Sequence, residues 1–158
     1  MASVDDVAAA VLSRTGPIDT FKFQKLVYYC EAWHLVWEAE PLFEDRIEAW
    51  ANGPVIPVLY QKHRRTYSVS EWPDGDATNL SDAQNESIDA VVSFYGEYKG
   101  FQLAELTHRE DPWRLARAAA GLTPGERGSV EITKESLRIY YEGLIGTSDT
   151  GPTPFFED

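Results

Sequence analysis

The sequence has a single cysteine, Cys30, so its 158 residues cannot form an intramolecular disulfide or a cysteine-rich zinc site. Long apolar runs are also missing, since none approaches the roughly 18 residues that a membrane span needs. The N-terminus carries Asp5 and Asp6 where a signal peptide has a basic region. We therefore expect a cytoplasmic protein that neither spans a membrane nor is exported.

Basic residues are scarce: 14 Lys and Arg stand against 26 Asp and Glu, which gives a net charge of -12. A surface of that sign repels phosphate backbones and lacks the cations that release counterions from nucleic acid. We expect a protein or a small molecule as the partner, and no nucleic acid. The same charge would also serve solubility alone.

Aromatic residues are plentiful, with 5 Trp, 8 Tyr and 7 Phe, and they supply the area for one hydrophobic core. The spacing of apolar residues predicts a mainly α fold of the α+β class, a single compact bundle of about six helices with a small two-stranded antiparallel sheet. Residues 47–50 and 67–72 alternate in polarity and are predicted to form that sheet. We expect one domain over residues 1–145 and a flexible polar tail over 146–158.

The strongest helical pattern begins at Thr20, the predicted N-cap, and continues to Pro41. One side of this helix is apolar and aromatic. The other side carries Lys22, Lys25, Tyr28 and Glu31, so we expect the helix to be amphipathic and not buried all round.

Candidates for catalysis are weak. Cys30 and His34 lie one helical turn apart and could form a thiolate and imidazole pair or two metal ligands, but a packed cysteine and a hydrogen-bonded histidine are the more common outcome. His108 precedes two acids and suits either a general base or a helix-end histidine, of which we favour the second. The glycines of residues 121–129 lack the Gly-Lys-Ser/Thr ending of a phosphate-binding loop. We predict no catalytic residue, no metal site and no cofactor.

A basic cluster at residues 62–65 is followed closely by aromatic residues. Arginine and aromatic side chains carry much of the energy of protein interfaces, although cations at a helix C-terminus are also favoured by the helix dipole alone. The candidate partner-binding residues are Tyr60, Arg64, Arg65, Tyr67 and Trp72.

Several sequence blocks follow one another in the order seen in a known family. They read FKFQKLVYYCEAWHL at 21–35, PLF at 41–43, IEAWANGPV at 47–55, FQLAELTH at 101–108 and PW at 112–113. From about residue 19 to residue 117 the chain resembles the Panacea domain of SocA-like and GepA-like antitoxins. The residues that fit the family pattern are Lys25, Tyr28, Trp33, Trp50, Gly53, Pro54, His108 and Trp113, which we interpret as mainly structural.

The resemblance implies a small helical domain without catalytic activity that neutralises a toxin encoded beside it by binding that toxin directly. The toxins of such families are diverse, and many of them inhibit translation. An alternative is a proteolytic adaptor that delivers its bound toxin to an ATP-dependent protease, to which Phe155 and Phe156 in the tail could contribute a docking signal. We therefore expect an antitoxin that is not an enzyme and whose partner is a cognate protein toxin.

Overall fold

The computed structural model describes residues 1–145 and 151–152, and within them seven α-helices, one 3-10 turn and five short strands are formed. The helices are α1 (Val4–Thr15), α2 (Thr20–Glu38), α3 (Pro57–His63), α4 (Asp82–Tyr95), α5 (Gly100–His108), α6 (Asp111–Ala119) and α7 (Lys134–Leu144). The strands are β1 (Ile18–Asp19), β2 (Ile47–Trp50), β3 (Gly53–Val55), β4 (Ser68–Val69) and β5 (Glu131–Ile132), and the 3-10 turn is Ala77–Asn79. The predicted mainly α class is confirmed.

Helix α2 forms the centre of the protein. It packs against α1, α4, α5 and α7, and every residue from Phe23 to Leu35 is buried. The prediction of an amphipathic α2 is therefore wrong, because Lys25 and Glu31 on its polar side are covered as well. A charge that such a helix carries into the core lowers stability unless a polar partner compensates it.

Side-chain caps begin four of the helices. Ser3, Asp19, Ser81 and Thr133 each accept a hydrogen bond from a backbone N–H group of the first helical turn. The cap of α2 is Asp19 and not the predicted Thr20, since Asp19 Oδ1 lies 2.8 Å from the backbone nitrogen of Lys22. The carboxylate also suits the positive end of the helix dipole.

The strand pairing differs from the predicted sheet. Strand β2 pairs antiparallel with β3, where Ala49 faces Pro54, and with β5, where Ile47 faces Ile132. Strand β4 instead pairs with β1. The two-residue turn between β2 and β3 closes a hairpin at a smaller entropic cost than a pairing across the sixteen residues 51–66 between the predicted strands. The described residues thus contain a three-stranded and a two-stranded sheet.

Part of the predicted tail lies within the described residues. Pro152 is buried, and a Cβ atom on Gly151 would collide with the ring of Trp33. Residues 146–150 and 153–158 lie outside the described residues, and the domain boundary at 145 stays a prediction. None of the described helices is both long enough and apolar enough to cross a membrane.

Candidate functional site

Lys25 is a charged residue in an apolar place. It lies in α2 with only 1% of its surface exposed, and within residues 1–145 and 151–152 its Nζ atom has neither a hydrogen-bond acceptor nor an ion-pair partner. Burial lowers the pKa of Lys25 from 10.5 to about 8, and the charge of Asp19 opposes part of that change. A buried ammonium without a carboxylate destabilises the fold, and such perturbed groups are concentrated at functional sites.

Gly53 makes the space that Lys25 occupies. Its φ angle of 128° lies in the region that favours glycine, and a Cβ atom there would stand 2.6 Å from Lys25 Cε and 3.1 Å from Nζ. From the sequence we interpret Gly53 as mainly structural. The structure adds a second requirement, because any side chain at this position would displace the lysine.

Lys25 lines a cleft of about 680 Å³ between the first turns of α2, the β2–β3 turn, α3 and the loop at 127–129. Three aromatic side chains, Phe21, Trp50 and Tyr60, form part of its walls. The rings of Trp50 and Tyr60 meet edge to face with centroids 4.8 Å apart, and Trp50 Nε1 donates to Glu48 at 2.8 Å. These contacts fix the orientation of the indole. The Lys25 ammonium lies 5.7 Å from the centre of the Phe21 ring.

A buried amide and imidazole pair forms another part of the cleft. Gln24 Oε1 accepts a hydrogen bond from the backbone N–H of Ile56 at 2.8 Å, so the amide nitrogen of Gln24 faces His63 Nε2 at 2.9 Å. Since that nitrogen donates, His63 must accept at Nε2 and carry its proton on Nδ1. Burial also lowers the pKa of His63. The imidazole of His63 is therefore neutral at pH 7. Lys25 is then the buried cation of this part of the cleft.

The β2–β3 turn is held from the opposite side by two residues of the family pattern. His108, the last residue of α5, stacks on Trp113 with ring centroids 4.0 Å apart, and the backbone of Asn52 lies beside it. Trp113 Nε1 donates to the carbonyl oxygen of Trp50 at 2.7 Å. Burial lowers the pKa of His108. These contacts support the turn, as expected of structural residues.

Phe21 separates this cleft from a second one, of about 730 Å³, that is also lined by Tyr67, Phe101, Lys22 and Lys99. The three rings are unusually exposed: Phe21 at 47%, Tyr67 at 77% and Phe101 at 62%. We call the two clefts together the Phe21 face. Sequence reasoning missed Phe21 and Phe101. Phe21 could have been identified from the sequence, because this aromatic residue does not occupy one of the regularly spaced apolar positions of α2.

The five residues predicted to bind a partner do not line one cleft. Tyr60 lines the first cleft and Tyr67 the second, while Arg64 and Arg65 are exposed after α3 and line neither cleft. The expectation that Trp72 is exposed is wrong. Its ring packs on Phe23 with centroids 5.0 Å apart, and its Nε1 donates to Asp5 at 2.8 Å, so Trp72 joins α1 to the core.

The weak catalytic candidates are buried in the core. Cys30 is fully buried, and burial raises the pKa of its thiol. His34 Nδ1 lies 2.7 Å from Ser87 Oγ, and burial lowers the pKa of His34 to about 4. A protonated thiol and a neutral imidazole do not form a reactive ion pair. Among the described residues, no three His, Cys, Asp or Glu side chains come together as metal ligands.

Tyr28 lies in a separate buried cluster of tyrosines. Tyr29 and Tyr141 donate to Glu110 Oε1 at 2.8 Å and 2.7 Å, and the hydroxyl of Tyr28 lies 3.0 Å from that of Tyr141. Burial raises the pKa of Glu110 from 4.5 to about 7. Trp33 is likewise in the core, where its Nε1 donates to Tyr95 at 3.0 Å. Both family-pattern residues therefore act in packing.

Residues 23–114 match the model of the family described as "Antitoxin SocA-like, Panacea domain". The chain is also 27% identical over 138 residues to the antitoxin SocA of Caulobacter vibrioides (strain NA1000 / CB15N), which covers 78% of this chain and 73% of the relative. No solved structure matches. The matched region contains Lys25, Gly53 and His108, together with most of the elements that build the first cleft.

Proposed function

This chain belongs to the SocA-like Panacea-domain family of antitoxins, and from that premise we propose that it neutralises its toxin by direct binding through the Phe21 face. In this proposal the antitoxin covers the working surface of the toxin and performs no catalysis itself. The partner is a cognate protein toxin, and a translation-inhibiting enzyme is the class that the resemblance suggests.

The observation that carries the proposal is the exposure of Phe21, Tyr67 and Phe101 around one cleft. Large apolar patches on a protein surface favour association with a partner, and aromatic side chains are over-represented among the residues that dominate binding energy. Lys22 and Lys99 also line this cleft, in a chain whose net charge is -12. Cations flanking aromatic rings favour a partner with acidic groups at the matching positions.

The size of the protein is sufficient for such an interface. A standard interface buries about 800 Å² on each partner. The accessible surface here is 8147 Å², so one face of the domain supplies that area. Masking an active site therefore needs no second domain.

The test is to co-express the chain with the protein encoded by the neighbouring gene and to measure growth. The double variant Tyr67→Ala with Phe101→Ala should lose the rescue and bind the purified toxin at least tenfold more weakly, because each ring is placed as an interface anchor. The matched control is Leu115→Ala with Ile139→Ala, which truncates side chains of similar exposure, 50% and 58%, in a groove between α6 and α7. This control should rescue growth normally.

Two outcomes would contradict the proposal. The first is a neighbouring protein that is harmless on its own or stays toxic in the presence of this chain. The second is a rescue that survives the double variant and fails with the control, since the binding surface would then lie between α6 and α7. The adaptor alternative is not favoured by the comparisons, and Phe155 and Phe156 lie outside the described residues.

A further inference from the structure

The first cleft of the Phe21 face holds an ammonium group that the described residues leave without a counter-ion. The nearest acid in its surroundings is Asp19, whose Oδ1 already accepts the backbone N–H of Lys22 at 2.8 Å. Lys25 is 1% exposed, so water solvates its charge far less than it would at the surface. The arrangement is unfavourable until a negative group enters the cleft.

Two residues of the chain, Lys25 itself and Gly53, maintain this unfavourable arrangement. At position 25 a methionine or leucine would fill the same space without a charge to desolvate. The β2–β3 turn also provides Gly53, whose missing side chain leaves room for Lys25 Cε and Nζ at 2.6 Å and 3.1 Å from where a Cβ would stand. A lysine that served only to pack the core would not need this space around its ammonium group.

The polar groups packed beside Lys25 inside the cleft are already occupied or neutral. Both ends of the Gln24 amide are bonded, to Ile56 and to His63. The charged and titratable groups around Lys25 are Asp19 at the start of α2, His63 on α3, His108 on α5 and Arg127 in the loop at the rim. Because both imidazoles are neutral at pH 7, Lys25 is the compact positive charge inside the cleft, and Arg127 is a second cation at its rim.

We propose that the cleft is a binding site for a carboxylate carried on a flat apolar group, with Lys25 as the counter-ion and Phe21, Trp50 and Tyr60 as the surfaces that hold the apolar part. The ammonium of Lys25 balances one negative charge, which a carboxylate supplies. The volume of about 680 Å³ falls in the range of small-ligand sites. The flat shape follows from the aromatic walls.

The test uses benzoate as the probe, with ¹³C NMR of labelled lysine side chains as the readout. In the protein alone the pKa of Lys25 should be about 8, and saturation with benzoate should raise it, because the carboxylate stabilises the ammonium. Benzoate affinity should fall about tenfold for each pH unit above the pKa of free Lys25. Benzamide, which has the same shape without the charge, and inorganic phosphate should both leave the Lys25 resonance unchanged.

The variants separate the site from general charge effects. Lys25→Met should bind benzoate at least tenfold more weakly and should fold, since an unbranched apolar side chain occupies the same space. The control Lys62→Met removes one charge from an exposed lysine that lines neither cleft, and it should bind benzoate like the unmodified protein. Equal binding by Lys25→Met, an equal response to benzamide, or an unshifted Lys25 resonance would overturn the proposal. Should Lys25→Met not fold, the comparison of benzoate with benzamide on the unmodified chain decides.

The carboxylate has two possible sources, an acidic residue of the bound toxin or a free organic acid. Competition separates them: displacement of benzoate by the toxin points to the toxin's own carboxylate, and simultaneous binding points to a free acid. Benzoate binding is measured on this chain alone. A failure of toxin neutralisation therefore leaves the site intact, and a failure of benzoate binding leaves the toxin proposal standing.

Discussion

Replacing Glu110 by Gln should change how the stability of this protein depends on pH. Glu110 is buried and accepts hydrogen bonds from Tyr29 and Tyr141 at one oxygen. A glutamine at this position keeps an oxygen acceptor for both hydroxyl groups and removes only the ionisation. The substitution therefore isolates the contribution of the titrating carboxyl.

The size of the effect follows from the pKa of Glu110, which burial raises from 4.5 to about 7. The folded protein binds this proton more tightly than the unfolded chain does. The associated stability is fully present below pH 4.5 and is lost as the pH rises through 7. The full difference corresponds to about 3 kcal/mol, of which about 2 kcal/mol is lost between pH 5 and pH 8.

His34 opposes this dependence in the unmodified protein. Burial lowers its pKa from 6.5 to about 4, so the unfolded chain binds that proton more tightly, and stability is lost as the pH falls from 6.5 towards 4. The His34 effect is also about 2 kcal/mol between pH 8 and pH 5, with the opposite sign. The contributions of Glu110 and His34 to the pH dependence of stability nearly cancel in the unmodified protein. The Glu110→Gln variant removes one of them, so the contribution of Glu110 becomes measurable by comparison.

The assay is urea unfolding followed by tryptophan fluorescence at pH 5 and pH 8, for the unmodified chain and for Glu110→Gln. The free energy of unfolding of the variant, relative to the unmodified protein, should be about 2 kcal/mol more favourable at pH 8 than at pH 5. A relative stability that is equal at the two pH values, or that falls with pH, would refute the inference that burial raises the pKa of Glu110. Agreement of the denaturant slopes at both pH values is the control for two-state unfolding.

Two further substitutions test how the interior accommodates charge. Gly53→Ala should lower the free energy of unfolding by about 2 kcal/mol, through backbone strain and collision with Lys25, and the addition of Lys25→Ala should restore part of that loss in thermal melts. Equal losses with and without Lys25→Ala would show that collision contributes nothing. Lys134→Met should cost about 3 kcal/mol, because it leaves the fully buried Glu31 without the ammonium 2.7 Å from its Oε2. Chemical denaturation measures this loss of stability, and the addition of Glu31→Gln to Lys134→Met should reduce it. A loss smaller than that of a surface ion pair would contradict the prediction.

Much of the fold could be predicted from the sequence because the signals are local. The apolar spacing along α2 and the capping serines at residues 3 and 81 depend only on neighbours a few positions away. The turn at Gly53 is equally local, since its backbone conformation favours glycine whatever surrounds it. The family blocks are read in chain order and need no knowledge of contacts.

What the tertiary structure decided is which distant residues meet. The sequence marks Lys25 as a cation on the polar side of a helix, and only the packing of the β2–β3 turn against α2 makes it a buried one. Trp72 carries no local sign that Asp5 will cover it, and Glu110 carries none that two tyrosines will surround it. Periodicity records how each residue relates to its neighbours along the chain. The burial of a charge, and therefore its chemistry, is set by side chains that are far apart in sequence and close together only after folding.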